Sequence, residues 1–375
     1  LKIRIMGKDY NFFDLLAYTV LTAGLRQFHR EGAGMRSEQW NTLVRTVNGE
    51  RAPRIPVALI ADTPWIPPFL GISTVDYIGV PQSWLHANLA VARRFPDVIF
   101  VPGFWVEPGM AAEPSGFGCR IEFSSEQPPS IHPIAADVGL VDGLAQPNPL
   151  RDGLMPLVLA QYRHALPLVR AEGMDIRMVA ARGPLAVAAH LFGLSEFLVG
   201  LKTEQALTHR LLKMTTRLAK EWLSAQAAVL PAADGILVLD DVVGFLSRDD
   251  YQEFAHPYLK EIFSLPAAVK IFHNDTDSPV CYEFLADLGI NAFNFTHLRS
   301  LGDVRARVGD SVCLMGNVPP RDVLAAGSAA AVTDHARRCI AENAGHPAFL
   351  LSAGGGLSPG TPAENIDALV RAASA

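Results

Sequence analysis

The sequence carries few charges and lacks the signatures of several large function classes. Only 19% of its residues are Asp, Glu, Lys or Arg, and 32 basic against 38 acidic residues leave a formal charge of −6, with no basic run or lysine-rich tail. A nucleic-acid partner is therefore not expected; a small or apolar substrate fits better. The four cysteines, Cys119, Cys281, Cys313 and Cys339, form no Cys-x-x-Cys pair, which argues against a disulfide framework or a structural zinc knuckle. A reducing cytoplasm is the expected compartment. The most apolar stretches are interrupted before they could span a bilayer, 183–201 by His190 and Glu196, and 227–246 by Asp234, Asp240 and Asp241, so no membrane partner is expected. Also missing are a Ser-His-Asp order, a nucleophile elbow, a dinucleotide fingerprint, a repeat of solenoid period and any low-complexity tract.

What the sequence does hold is apolar residues in strand-length portions. With 49% hydrophobic residues in 375, the chain can bury a large core, and disorder is excluded as its dominant state. Residues 1–28 contain an apolar segment at 12–25 with Asp14 inside it and no small-residue cleavage site after it, which reads as an amphipathic lead helix. Eight apolar runs follow, at 55–60, 97–101, 176–181, 235–239, 269–272, 292–295, 312–315 and 349–351, many of them succeeded by a helical stretch. VALI, VIFV and ILVL are apolar at successive positions, as parallel strands covered on both faces require. Helices are expected over 155–172, 203–230, 248–265, 279–288, 329–343 and 362–372, with Ser247 and Thr361 as N-caps and Glu364 completing a capping box. The pattern predicts an α/β fold, a (β/α)8 TIM barrel over 53–375 preceded by an N-terminal helical extension, 1–52. The Pro- and Gly-rich stretch 102–149 breaks the rhythm after the second run; it is expected to be a lid or insertion, with 120–124 as one of its strands.

In such barrels the active site lies at the C-terminal face and draws on several strand ends. The exits here are polar: Asp62 after the first run, Glu107 and Glu113 after the second, Arg182 after the third, and Asp240 and Asp241 after the fourth. His273, Asp275 and Asp277 follow the fifth, Asn294 and His297 the sixth, Asn317 the seventh, and Ser352 with the glycines 354–356 the eighth. Residues i and i+2 of an extended chain point the same way, so His273 and Asp275 can present an imidazole and a carboxylate to one metal ion, with Asp277 next in line. The same residues would equally serve as caps ahead of Pro279. Asp240 and Asp241 point to opposite sides, so one can face a pocket while the other caps the following turn. Glu107 and Glu113 read equally well as part of a solvated loop. The segment LLSAGGGLSPG at 350–360 allows close approach of a phosphate or a flat ligand but lacks the lysine of a P-loop.

Taken in order, Gly183-Pro184, Leu191-Phe192-Gly193, Asp240-Asp241, Phe245-Leu246-Ser247, Phe254-Ala255-His256-Pro257-Tyr258, His273, Gly316-Asn317-Val318-Pro319-Pro320, Leu351-Ser352-Ala353-Gly354 and Thr361-Pro362-Ala363-Glu364-Asn365-Ile366 resemble the uroporphyrinogen decarboxylase superfamily from about Pro53 to the end. The resemblance implies the same (β/α)8 barrel and offers two chemistries. True decarboxylases of that family use no cofactor and hold the substrate's carboxylates with arginines after the first strand; here that exit reads Ala61-Asp62-Thr63-Pro64-Trp65, with no arginine. The cobamide-dependent methyltransferase branch, typified by methylcobamide:coenzyme M methyltransferases, binds zinc through a His-x-Cys pair and a distant Cys. His273 matches the histidine, whereas Asp275 and Gly355 stand where that branch has cysteines.

On this resemblance the expected function is methyl transfer between a small methylated substrate, a corrinoid carried by a partner protein, and an acceptor such as tetrahydrofolate or a thiol. Zinc is expected at His273 and Asp275, with Asp277, Glu113 or Cys119 to complete the site. Asp240, Asn317, Asp62 and Arg182 are the expected catalytic residues; Trp65, Phe104, Trp105, Glu107, Asn294, His297 and Ser352 are expected to bind substrate. As the family suggests, exposed apolar surface can pair two chains into a homodimer. The alternatives are a cofactor-independent decarboxylase acting on another carboxylic acid, with Asp62 or Asp240 as proton donor and Arg182 holding a carboxylate, and a catalytically silent binding protein.

Overall fold

The computed structural model describes residues 2–5, 8–11 and 37–374, in two units divided after Gly32. In the first unit, β1 (Lys2–Ile5) and β2 (Lys8–Asn11) pair antiparallel, with Lys2 opposite Asn11. This corrects the helix expected over 1–28 for those residues: Lys-Ile-Arg-Ile alternates polar and apolar with period two, the pattern of a strand. The segment 12–25 lies outside the described residues.

The second unit is a (β/α)8 barrel preceded by a helix, Ser37–Val47. In chain order its strands are β3 (Val57–Ile60), β4 (Val98–Val101), the two strands of an outlying antiparallel hairpin, β5 (Arg120–Glu122) and β6 (Ser130–His132), then β7 (Met178–Arg182), β8 (Gly235–Leu239), β9 (Val269–Asn274), β10 (Ala292–Phe295), β11 (Cys313–Val318) and β12 (Phe349–Ala353). Eight of them form one parallel sheet in the order β4-β3-β12-β11-β10-β9-β8-β7.

The successive apolar residues of each strand divide by parity between two cores. Ala58, Ile60, Ile99, Val101, Met178, Ala180, Leu237, Leu239, Ile271 and Met315 fill the interior, joined by Trp40 and Leu43 of the helix Ser37–Val47. Trp40 reaches the first residue of β8, where a Cβ on Gly235 would lie 3.0 Å from its ring, so this helix plugs the N-terminal end. Val179, Ala181, Ile236, Val238, Phe272, Phe293 and Leu351 face outward under the helices.

Because β4 and β7 end the ladder, the cylinder closes across a seam, and side chains satisfy the free edge of β7. Gln226, on the helix Gln205–Val229, donates to Ala180 O at 2.8 Å and accepts from Ala180 N at 3.5 Å. Two residues on, Arg182 N donates to Glu113 Oε1 at 2.8 Å.

Most of the expected helices are present, and three details differ. The helix expected over 279–288 is only a short 3-10 turn, Tyr282–Phe284. That expected over 248–265 is broken by a π-helical turn, Tyr251–Ala255, before His256–Phe263, because Pro257 has no N–H to continue the α ladder. Thr361 Oγ1 donates to Ser358 O at 2.8 Å, so it does not cap the helix Ala363–Ala373, whereas Ser247 Oγ accepts from Asp250 N as expected. Among the described residues no single helix is long and apolar enough to cross a membrane; Pro184–Phe192 and Leu194–Thr203 qualify only as a pair bent by 106°.

Gly183 carries the contact between β7 and the chain after β8. A Cβ there would stand 2.2 Å from Asp240 Oδ2 and 2.4 Å from Asp240 Cβ. Gly183→Ala is expected to lower the unfolding free energy by about 1–3 kcal/mol through overpacking, measured by urea denaturation; an unchanged midpoint would contradict this packing.

Candidate active site at the barrel mouth

Continuing the interior parity past the apolar layers gives a polar top layer. Ile60 leads to Asp62, Ala180 to Arg182, Leu239 to Asp241, Ile271 to His273 and Asp275, Ala292 to Asn294, and Leu350 to Ser352.

His273 is held by Asn294. The Asn294 amide donates both hydrogens to carbonyls, Met315 O at 2.8 Å and Ala353 O at 3.1 Å, so its Oδ1 must be the atom facing His273 Nδ1 at 2.7 Å. Nδ1 therefore carries the proton of that bond, and Nε2 points away from it. On that side lie Asp241, with Oδ1 3.6 Å from Nε2, and Asp275, and one ligand atom from each of the three lies within 4.8 Å of the others. Asp275 N donates to Asp241 Oδ1 at 3.2 Å, which ties the two acidic loops together. Burial first, and then the Asp241 charge, raise the Asp275 carboxyl above its ordinary range, against the lowering influence of His273 and His297.

Gly355 completes this cluster by what it lacks. A Cβ there would lie 2.5 Å from Asp275 Oδ2, and its φ of +132° suits glycine. The Asp275 carboxylate thus stands against the position where a side chain at 355 would begin. One imidazole nitrogen and two carboxylates, with room kept for one of them by a glycine, fit a divalent cation that accepts oxygen and nitrogen ligands.

A second group sits at the seam. Arg182 Nη2 donates to Glu107 Oε1 at 2.6 Å, with both side chains buried, and its guanidinium lies 5.3 Å from the centre of the Trp105 ring. Thr63 Oγ1 donates to Glu107 Oε2 at 2.8 Å and Met110 N to Oε1 at 2.6 Å. Asp62 senses both groups: burial, then the Glu107 charge, raise its carboxyl to about 7 while Arg182 and His273 pull it down.

An acid whose folded value lies above its unfolded one holds a proton that the unfolded chain has lost, so stability falls as pH rises from about 4 to about 7. Asp62→Asn is expected to remove part of that fall, worth roughly 1–4 kcal/mol at pH 8 relative to pH 4, read from unfolding midpoints at the two pH values. Identical pH dependence in both proteins would contradict it.

Several expected site residues lie elsewhere. Asp240 has the outward parity of Val238; it is buried and Oδ2 accepts from Leu185 N at 2.9 Å, so it caps the helix Pro184–Phe192, and its neighbour Asp241 is the one that faces the mouth. Asn317 is spent on structure: its amide donates to Thr296 O and Arg299 O, and its oxygen accepts from Cys339 Sγ. Trp65 is packed outside the barrel against Phe69, with Nε1 donating to Thr361 O at 3.0 Å, and Phe104 packs edge-on against Trp84. Neither forms a wall of the mouth; Trp105 does. Asn294 is fully buried and orients His273 in place of touching substrate.

Of the supplementary metal ligands, Asp277 is paired with Arg299, Glu113 is engaged at the seam, and Cys119 is buried beside His190 O with its thiol pushed up to about 11. None of the three joins the cluster. His297 lies beside Gly354 at the rim, and the buried Ser352 Oγ has no partner among the described residues.

Residues 39–375 match the family model described as uroporphyrinogen decarboxylase (URO-D). A uroporphyrinogen decarboxylase of Thermus thermophilus is 27% identical over 260 residues, 67% of this chain and 73% of that protein. That of Methylobacillus flagellatus is 29% identical over 319 residues, 76% and 79% of the two chains. Among solved structures, a methyltransferase from Methanosarcina mazei has a TM-score of 0.75 at 22% identity, covering 88% of this chain and 96% of that one. A B12-independent methionine synthase from Shewanella sp. W3-18-1, in complex with selenomethionine, has a TM-score of 0.57 at 9% identity, covering 85% and 97%. At these identities the structural likeness is one of fold.

Proposed function

The chain belongs to the uroporphyrinogen decarboxylase family, and from that premise we propose that it is a methyltransferase with a divalent metal ion, zinc in the first instance, held by Asp241, His273 and Asp275. It would move a methyl group between a small methylated substrate, a corrinoid on a partner protein, and an acceptor such as tetrahydrofolate or a thiol. The observation that carries this reading is the orientation of His273: Asn294 engages Nδ1 and so aims Nε2 at two carboxylates. One neutral imidazole and two carboxylates sum to −2, the complement of a divalent ion.

When bound, the metal would supply the positive charge that makes the heteroatom of a methyl ether or thioether a better leaving group, or that stabilises a thiolate acceptor. The protein's own part is alignment for in-line displacement at carbon. Trp105 and Arg182 wall one side of the mouth, and Asp62 can hold or release a proton near pH 7. Phe245 and Leu298, on the loops after β8 and β10, are 59% and 62% exposed and offer apolar surface to a partner carrying a large cofactor.

The competing reading is decarboxylation, which the names of the curated relatives and the raised Asp62 carboxyl favour. Against it, Arg182 is already neutralised by Glu107 and is poorly placed to clamp a substrate carboxylate. Metal analysis of the purified protein, followed by absorbance-monitored demethylation of a methylcobamide with candidate acceptors, tests the proposal. A metal-free protein with full transfer activity would remove the metal. Carbon dioxide release that is lost in Asp62→Asn, with no methyl transfer, would decide for decarboxylation.

A further inference from the structure

The two loops that carry the carboxylates of the candidate metal cluster interlock at one point. Asp241 opens a 3-10 turn, Asp241–Phe245, in which residues three apart stack on one side. Gly244 therefore lies on the same side as Asp241, facing the chain that leaves β9. A Cβ on Gly244 would stand 1.9 Å from Thr276 Oγ1, 2.5 Å from Thr276 Cβ and 2.8 Å from Thr276 Cγ2. The backbone of Gly244 is not in the left-handed region, so its conformation would accept an L side chain. What excludes one is Thr276.

Thr276 is itself fixed. Its N–H and its Oγ1 both donate to Asn274 Oδ1, at 3.0 and 2.5 Å, in a local turn that spans Asp275. Asp275, between the two, donates its N–H to Asp241 Oδ1 at 3.2 Å, and the same oxygen stands 3.6 Å from His273 Nε2. How deeply Thr276 seats against Gly244 thus sets how far Asp241 stands from both His273 and Asp275. Carbon atoms in contact are about 3.5–4.0 Å apart, so a methyl group at 244 would drive the loops apart by about 1 Å. Rotation about χ1 of Thr276 gives no relief, because its Cβ is already too close. Metal–ligand distances hold to within about 0.2 Å, so a shift of that size is large for a cation gripped by both loops.

We infer that Gly244 and Thr276 are positioning residues, a latch that sets the spacing of Asp241 and Asp275 and through it the affinity for a divalent cation. The effect on affinity rests on the metal reading proposed above; the spacing itself is measurable without a metal. Zinc affinity of the full chain is read by competition with a chromophoric chelator, and exchange of the Asp275 amide by nuclear magnetic resonance of the metal-free protein. Gly244→Ala should weaken zinc binding about tenfold to a hundredfold, the usual cost of disturbing what orients a metal ligand. It should also speed Asp275 exchange about threefold to tenfold as the bond to Asp241 is lost. Thr276→Gly opens the latch without crowding and should weaken zinc binding about threefold to tenfold, the worth of the hydroxyl bond it removes. Gly244→Ala combined with Thr276→Gly should bind zinc as Thr276→Gly does, because the obstruction is gone. Gly235→Ala, which crowds Met178 at the opposite end of the barrel, should lose stability and keep its zinc affinity. With zinc bound by the wild type, the latch is overturned by wild-type affinity in Gly244→Ala, by no recovery in the double variant, or by an equal loss in Gly235→Ala. Should Gly244→Ala not fold, wild-type affinity in Thr276→Gly overturns it instead. A wild type that binds no zinc removes the metal reading, and the Asp275 amide then decides the latch: unchanged exchange in Gly244→Ala overturns it.

Discussion

Glu107→Ala is expected to lower the unfolding free energy by about 3–5 kcal/mol, because it leaves the buried Arg182 guanidinium without its counter-charge. The two side chains are 5% and 7% exposed, so water cannot take the carboxylate's place. The substitution also strands Met110 N, whereas Thr63 Oγ1 keeps its bond to the backbone carbonyl of residue 107. The second variant that makes the measurement specific is Glu107→Leu combined with Arg182→Met, in which no charge is left behind. Replacing both members of a buried pair by apolar groups of similar size is often close to neutral, so the double variant should be more stable than Glu107→Ala. Urea denaturation of the three proteins reads this directly. A double variant as unstable as the single one would mean that packing, and not the unpaired charge, sets the loss.

His273→Ala is expected to lower zinc affinity at least a hundredfold, with a zinc content after dialysis well below one per chain. The bound comes from the outer layer: losing a residue that only orients a metal-bound histidine typically costs 10–100-fold, which is also the expectation for Asn294→Leu. Losing the nitrogen itself should cost no less. The fold should survive, with a penalty of about 1–3 kcal/mol for the Asn294 oxygen left unpaired in the core. Zinc retained in full by His273→Ala would end the assignment of the cluster, whatever the activity of the protein.

The barrel is legible in the sequence because its strands are buried on both faces and so appear as unbroken apolar runs. β8 and β10 coincide with their runs residue for residue. β9 and β11 continue to Asn274 and Val318, past where an apolar pattern stops, since polar residues facing the mouth remain in the backbone ladder. The site is legible as a set of strand exits but only partly as a set of directions. For β8 the signal is present: Leu237 and Leu239 are interior, and two further residues reach Asp241, which parity alone would choose over Asp240. For Trp65 and Phe104 it is not, because the chain has left the strand and alternation no longer holds. Glu107 and Arg182 are 75 residues apart; what joins them is the unpaired edge between β4 and β7, which no local pattern announces.

That edge has a mechanical consequence. Seven of the eight junctions around the cylinder are zipped by peptide groups, while the eighth is laced by Glu113 and Glu107, and Gln226 only covers the free edge of β7. Thermal breathing should concentrate along this one line, where parting requires the release of a few side-chain tethers and leaves every ladder intact. The amide of Ala180 would then surrender its proton to solvent sooner than those of Val179 and Ala181 beside it.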